Sequence, residues 1–523
     1  MDKGNTVLRL AKPKLKGIFG LLFSRLLLVL VLIVGQLALL VSLFSWFREY
    51  LPHYAAVELL FTSGMIIYLF NSAMDSSAKL TWLAVIAVFP FAGALLLFYT
   101  QADLGHRAVR ARTAELIEAT RDTLEQDPAV LSRLKSEGSG LDDLNYYVNR
   151  SGCFPVYDHT DAVYFPSGEE KFEAMLRELE RAQRYIFLEY FIIEEGYMWG
   201  RVLDVLSRKA KEGLDVRVMY DGMCEITTLP HDYPRRLETL GIRAKMFSPV
   251  TPIVSTHYNY RDHRKILVID GKVAFTGGVN LADEYINLRE RFGHWKDTAV
   301  MLRGDAARSF ALMFLQMWNL TEREPDFSPC RQRTAEDLPE APGFVMPYAD
   351  CPLDSDKVGE SVYMDLLYRA TSYVHIMTPY LILDGELETA LCYAAERGVD
   401  VKIILPGIPD KKAAYALAKS HHARLLESGV RLYEYTPGFV HAKVFVSDDC
   451  KAVVGTINLD YRSLYHHFEC AAYLYRAACI PEIEADFSET LARCRAVTHE
   501  SMRRETLFYR FAGRLLKILA PLM

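Results

Sequence analysis

Apolar residues follow two different patterns along this chain. Near its start they form long unbroken runs. Leu26 to Phe47, LLLVLVLIVGQLALLVSLFSWF, is 22 residues without a charge, and Leu80 to Tyr99, LTWLAVIAVFPFAGALLLFY, is 20. As helices at about 1.5 Å per residue they reach roughly 33 and 30 Å, the thickness of a bilayer's hydrocarbon. Pro90 predicts a kink in the second run, which membrane helices accept. Trp46, Trp82 and Tyr99 lie near the ends, as interfacial anchors do. Between the two runs, Tyr54 to Phe70 is shorter and holds Glu58; it reads as a third span, a hairpin or an interfacial helix. No small-residue cleavage site follows the first run, so it reads as a span and not as a signal peptide.

From Gly152 the pattern changes to short apolar runs alternating with amphipathic stretches, and it repeats. LRELERAQRYIFLEYFI in the first half matches MDLLYRATSYVHIMTPYLI in the second. AKEGLDVRVMYDG matches AAERGVDVKIILPG, and LETLGIRAKMFSP matches LLESGVRLYEYTP. Each unit reads helix, buried strand, helix, buried strand, helix, strand. Such alternation predicts a largely parallel sheet covered by helices. The polar, proline-bearing stretch from Glu322 to Gly343 reads as the linker between the units.

Each unit ends in the same constellation. NYRDHRKILVIDGKVAFTGGVN carries His263, Lys265, Asp270, Gly277 and Asn280; VHAKVFVSDDCKAVVGTIN carries His441, Lys443, Asp448, Gly455 and Asn458. Both read H-x-K, four residues, D, six residues, G-x-x-N. The His and Lys, two apart, share one face of a strand. ILVI suits a strand buried on both faces, and Asp-Gly signals a tight hairpin turn. One such triplet could be a core histidine beside a surface hairpin. About 0.05 chance occurrences are expected in a chain this long, so two copies that also share the Gly and Asn are not accidental.

The paired motifs resemble those of the phospholipase D superfamily and, with NYRDHRK, HWKDT (His294 to Thr298), GTINLDYRSL and Phe468-Glu469, the bacterial cardiolipin synthases within it. The resemblance covers about Gly152 to Cys494. It implies an α/β fold of two α-β-α domains related by a pseudo-twofold axis, whose motifs meet in one active site, behind an N-terminal helical transmembrane region. The implied division is 1–105 membrane anchor with two or three spans, 106–151 juxtamembrane helical linker, 152–321 first domain, 322–343 linker, 344–495 second domain and 496–523 tail.

The implied catalytic set is His263, Lys265, Asp270, His441, Lys443 and Asp448. Phosphatidyl transfer needs a nucleophile, an acid for the leaving alkoxide, and cations around the phosphoryl oxygens. One histidine would form a phosphohistidine, and the other would act as acid and then base. Family habit leans to His263 as nucleophile; the residues themselves leave both assignments open. Lys265 and Lys443 would clamp the phosphate, with amide donors from Asn280 and Asn458. The two aspartates read as fixing hairpin geometry or orienting a partner. Asp297 and Glu469 read either as carboxylates holding the histidine tautomers or as structural ion pairs. Gly277-Gly278 and Gly455-Thr456 depart from the family's Gly-Ser, so a hydroxyl donor is missing from the first copy. The resemblance implies no metal and no cofactor.

Composition adjusts this picture only a little. The formal charge is −6 over 523 residues, which disfavours a nuclease groove. Intact motifs in both copies disfavour a non-enzymatic scaffold. The expected partners are membrane phospholipids, with phosphatidylglycerol as donor and acceptor; a membrane phospholipase D is the alternative, and oligomeric state stays open. Nine cysteines without C-x-x-C show neither a zinc site nor a disulfide framework. His421-His422 read as a surface pair. Lys3, Arg9, Lys12, Lys14 and Lys16 precede the first span, and Arg107, Arg110, Arg112 and Arg121 follow the last, so the positive-inside tendency places both flanks and the catalytic region in the cytoplasm of a bacterial cell, at a multi-pass plasma-membrane protein. The tail SMRRETLFYRFAGRLLKILAPLM is a basic amphipathic helix, expected either on anionic lipid or on the catalytic body.

Overall fold

The structure, a computed structural model, describes residues 8–10, 34–39, 41–42, 50–102, 107–249, 260–331, 340–505 and 507–522. The first half contributes β1 (Thr160–Phe165), β2 (Tyr185–Tyr190), β3 (Asp215–Asp221), β4 (Arg243–Phe247), β5 (Arg261–Asp262), β6 (Lys265–Ile269), β7 (Val273–Gly277), β8 (His294–Lys296) and β9 (Ala299–Gly304). The second contributes β10 (Phe344–Asp350), β11 (Tyr373–Met377), β12 (Asp400–Pro406), β13 (Arg431–Tyr435), β14 (Gly438–Val440), β15 (Val444–Ser447), β16 (Lys451–Gly455), β17 (His467–Tyr475) and β18 (Cys494–Ala496). One sheet runs β1-β9-β7-β6-β2-β3-β4 and the other β10-β17-β16-β15-β11-β12-β13, with β18 added at its edge. The order repeats strand for strand.

The sheets are mixed, which corrects the expectation of largely parallel pairing. Within each half, β2-β3-β4 and β11-β12-β13 pair in parallel while the other neighbours are antiparallel. Helical crossovers such as Tyr197–Lys211 feed those strands, whereas tight turns make the motif strands β6-β7 and β15-β16 antiparallel. Alternation along β6 shows why ILVI is apolar throughout. Ile266 and Val268 enter a core shared with Val444, Val446 and Ala452 of the other half. Leu267 and Ile269 pack outward against the helices Gly168–Glu180 and Tyr197–Lys211, through Phe172, Leu176, Val202 and Leu206. The shared core also swallows the helix Ala307–Trp318.

Each motif turn uses its aspartate as an anchor. Asp270 and Gly271 have φ of 56° and 69°, and Asp448 and Asp449 have 53° and 55°, the left-handed pair of a type I′ hairpin. Asp270 accepts the backbone N–H groups of Gln183, Arg184 and Tyr185 at 2.7–2.9 Å. Asp448 accepts those of Thr371, Ser372 and Tyr373 at 2.8–3.0 Å. Asp449 takes a left-handed position without glycine, held by the hydroxyl of Tyr373 at 2.9 Å.

The membrane end departs from expectation. Leu80 to Tyr99 is not one span: the helix stops at Val88 and restarts at Pro90, giving 13-residue helices Ser76–Val88 and Pro90–Ala102. Proline lacks the N–H that would continue the ladder. The ambiguous segment lies instead within the helix Leu51–Asn71, whose 20 residues from Pro52 are long and apolar enough to cross a bilayer, with mean hydropathy 1.4. The run Leu26–Phe47 falls mostly outside the described residues. The stretch after the membrane end forms helices Arg107–Ala119, Pro128–Ser136 and Leu141–Gly152. Val130, Leu134 and Leu144 of these pack with Phe344 and Met346 of the second half. The tail helix Leu507–Leu519 joins both expectations. Gly513 lies so close to the helix Lys412–Glu427 that a Cβ would stand 2.3 Å from the Ala416 carbonyl. Phe511, Leu515 and Ile518 stay exposed, and Thr81 of the short membrane-end helix donates to the Ile518 carbonyl at 2.7 Å. His421 and His422, expected at the surface, are buried.

Because three backbone donors converge on each turn aspartate, Asp270→Ala and Asp448→Ala are expected to destabilise the fold by about 1–2 kcal/mol each. Thermal unfolding of the detergent-solubilised variants measures this; unchanged melting would mean the anchors carry no stability.

Candidate active site

The motif histidines do not pair within their own halves. β5, just before His263, pairs in parallel with the start of β17, and β14, just before His441, pairs in parallel with β8. His263 N–H donates to the Phe468 carbonyl at 2.9 Å, and His441 N–H donates to the Lys296 carbonyl at 2.7 Å. These short bridges carry each histidine to the carboxylate of the opposite half. His263 Nδ1 lies 2.8 Å from Glu469 Oε1, and His441 Nδ1 lies 2.7 Å from Asp297 Oδ2. Nε2 of each ring is thereby left outside the pairing. Both carboxylates are fully buried.

The lysines bend back over the histidines. Lys265 Nζ donates to the His263 carbonyl at 2.5 Å. Lys443 Nζ donates to the His441 carbonyl and lies 3.0 Å from His441 Nδ1. Burial sets the charge of the site. Desolvation lowers Lys265 to about 8 and Lys443 to about 7. Desolvation and then Lys443 lower His441 to about 4. Desolvation, then Lys265, hold His263 well below the usual histidine range, and desolvation pushes Glu469 well above the usual carboxylate range. Without an anion, both imidazoles are neutral at pH 7.

Asp270 and Asp448, placed with the catalytic set by resemblance, stand apart. Four residues of strand lie between each and its lysine, five steps or about 17 Å, and their oxygens are engaged by the backbone amides described above. Asn280 is not a free donor either: its amide N–H donates to the Tyr285 hydroxyl at 2.8 Å and its oxygen accepts from Ile192 N–H at 3.0 Å. Asn458 is buried, with its side-chain oxygen unpartnered among the described residues.

The glycine departure has a steric reason. A Cβ on Gly278 would stand 2.0 Å from Asp297 Oδ1, so Asp297 fills the space a serine would need. In the second copy Thr456 donates its hydroxyl to Glu469 Oε2. The family's hydroxyl position therefore serves the carboxylate here. Sequence reading missed the rings around the histidines. Phe191 lies edge-on to His263 at 4.8 Å between centroids, and His467 lies at 5.2 Å. Tyr285 and Trp295 each lie 5.4 Å from His441. The second half offered one signal: His467 stands two before Glu469, where the repeat has Trp295 two before Asp297.

Gly278→Ala is expected to push Asp297 off His441 and lower turnover at least tenfold while the fold survives. A normal rate in a variant with unchanged melting would show that Asp297 does not need that space.

Known proteins share this sequence and this fold. A family model described as cardiolipin synthase, PLD-like domain, matches residues 175–318 and 363–491. An "Uncharacterized protein" of Streptococcus mutans is 56% identical over 460 residues, 88% of this chain and 100% of that protein. A cardiolipin synthase of Alkalihalophilus pseudofirmus is 32% identical over 88% of this chain and 91% of its own length, and one of Geobacillus kaustophilus is 33% identical over 95% and 98%. The crystal structure of a phosphatidylserine synthase from Haemophilus influenzae shares the fold, with a TM-score of 0.53 at 17% identity over 69% of this chain and 93% of that one. The chain belongs to the cardiolipin synthase family of phospholipase D-like enzymes.

Proposed function

We propose that this enzyme moves a phosphatidyl group from one phosphatidylglycerol to another, giving cardiolipin and glycerol, at one site shared by two domains related by a pseudo-twofold axis. The observation that carries this reading is the crossed pairing of His263 with Glu469 and of His441 with Asp297. Each pairing supplies one imidazole with its Nε2 free. His263 Nε2 attacks phosphorus, and the bond to the glycerol oxygen breaks. His441 gives that oxygen its proton. His441 then takes the proton of the acceptor's hydroxyl, which attacks the phosphohistidine and frees His263. The two lysines hold the non-bridging oxygens. An arriving phosphodiester brings negative charge among buried bases, which favours protonation of both lysines and of the histidine serving as acid. The Leu51–Asn71 helix, the short helices after it and the run Leu26–Phe47 form the anchor of a multi-pass protein of the bacterial plasma membrane, with the catalytic body on the cytoplasmic side.

Membranes carrying the protein and labelled phosphatidylglycerol are expected to yield cardiolipin and glycerol. His263→Ala and His441→Ala should each retain under a tenth of this activity, and loss of the trapped phosphoenzyme in one of them names the nucleophile. Phosphatidic acid as the main product would instead make the enzyme a phospholipase D.

The lysine shifts give a pH dependence with a definite sign. Both fall below the ordinary lysine value, so the charged clamp is complete below about 7 and is lost as pH rises through about 7 to 8. The kcat/KM for anionic lipid should decline over that window, and the decline in kcat should sit higher because bound phosphate favours the charged lysine. A flat kcat/KM from pH 6 to 9 would show that the clamp does not titrate there.

A further inference from the structure

His467 has no part in the reaction above, yet it sits against the reacting histidine. Its ring is buried, 5.2 Å from that of His263. Its Nδ1 is 3.7 Å from Glu469 Oε1, too far for a hydrogen bond. Neither ring nitrogen has a hydrogen-bond partner among the described residues. Buried polar nitrogens are nearly always paired, so two orphans on one ring ask for a ligand. The repeat sharpens the point. The matching place beside His441 holds Trp295, whose indole has a donor and no lone pair to offer. Among the described residues, the His263 side carries a second imidazole and the His441 side does not.

One donor atom each from His263, His467 and Glu469 lies within 4.8 Å of the other two. A tetrahedral Zn²⁺, with bonds of about 2.0–2.2 Å, spaces its ligands about 3.3–3.6 Å apart. Small ring rotations would close the set. Glu469 already has the outer support of a ligating carboxylate, because Thr456 donates to its other oxygen.

We propose that His263, His467 and Glu469 form an inhibitory site for a borderline divalent transition-metal ion of the Zn²⁺ class. The ion takes two neutral imidazoles and one carboxylate; it binds His263 at Nδ1, and the proton held there against Glu469 moves to Nε2. A neutral imidazole has one basic lone pair. Once His263 gives it to the ion, none remains to attack phosphorus, and transfer stops until the ion leaves. Hard ions such as Mg²⁺ prefer oxygen ligands and do not compete.

The test uses full-length protein in detergent, wild type and His467→Asn, with Zn²⁺, Mg²⁺ and EDTA. Micromolar Zn²⁺ is expected to stop wild-type transfer, EDTA to restore it, and millimolar Mg²⁺ to leave it unchanged. His467→Asn, measured against its own rate in EDTA, should need at least tenfold more Zn²⁺. A readout independent of activity is Co²⁺ titration, which should give the visible absorption of one tetrahedral ion per chain in wild type and none in His467→Asn. Glu469→Gln, followed by Co²⁺ absorption alone, should lose it too. No Zn²⁺ inhibition, or equal Zn²⁺ sensitivity and equal Co²⁺ absorption in wild type and variants, overturns the site. A Co²⁺ signal as expected with no cardiolipin made in EDTA would support the site and refute the proposed reaction.

Discussion

Everything around this active centre depends on two crossed hydrogen bonds, His263 to Glu469 and His441 to Asp297. Each joins the motif of one half to a carboxylate of the other. Neither half supplies the carboxylate that orients its own histidine, so the halves must dock for either imidazole to be held. The docking surface is the shared apolar core, where Ile266, Val268 and Ala274 of β6 and β7 join one cluster with Val444, Val446, Ala452 and Val454 of β15 and β16 and with the buried helix Ala307–Trp318. Its contacts are hydrophobic and non-directional. The histidine–carboxylate pairs and the two short strand bridges add direction. Removing one partner of such a buried pair strands a polar group, which costs about 3–5 kcal/mol where the group stays charged. The same bonds thus set the register of the halves and, on the proposed mechanism, their reactivity.

Burial gives the site its resting charge. Two lysines, two motif histidines and two carboxylates are packed where water cannot solvate them. Each basic group is lowered and Glu469 is raised, in every case with desolvation as the first cause. A site so poised gains by receiving an anion. On the proposed mechanism, the phosphodiester serves as counter-ion as well as substrate, and the acid appears only once there is something to protonate.

Much of this was legible in the chain because repetition filters chance. The paired H-x-K-x4-D runs, the aligned strands and helices, and the carboxylates after each motif all carried signal at fixed spacing. What was not legible depended on three-dimensional pairing. Periodicity cannot tell that Asp297 serves the second motif's histidine and Glu469 the first's. It cannot tell that Gly278 is small because Asp297 lies 2.0 Å from where its Cβ would be. A buried strand reads alike in parallel and antiparallel neighbours, so the mixed sheets were missed. Pro90 was read as a kink when it divides two helices, because a proline inside an apolar run permits both outcomes. Asp270 and Asp448 belong to the implied set by motif, yet their place beside the turn already reads as hairpin geometry, and it is there that their backbone partners lie. His421 and His422 read as polar on a helix and proved buried, since sequence does not reveal what packs against a helix face.

Transfer and hydrolysis share the proposed phosphohistidine and differ only in which hydroxyl reaches it. The rings around the histidines bear on that choice. Phe191 lies against His263, while Tyr285, Trp295 and Phe439 surround His441 at centroid distances of 5.4–5.9 Å. Apolar rings packed against both imidazoles offer water few partners there. The tail helix extends the argument beyond the site. It is wedged on the catalytic body through Gly513 and hydrogen-bonded to the membrane-end helix through Thr81, with Phe511, Leu515 and Ile518 still facing outward. A helix held at its middle by Gly513 and near its C-terminal end at Ile518 links the catalytic body to the helix Ser76–Val88. On the proposed topology its free apolar face meets the lipid, which keeps the acceptor close and water scarce at the step where the product is decided.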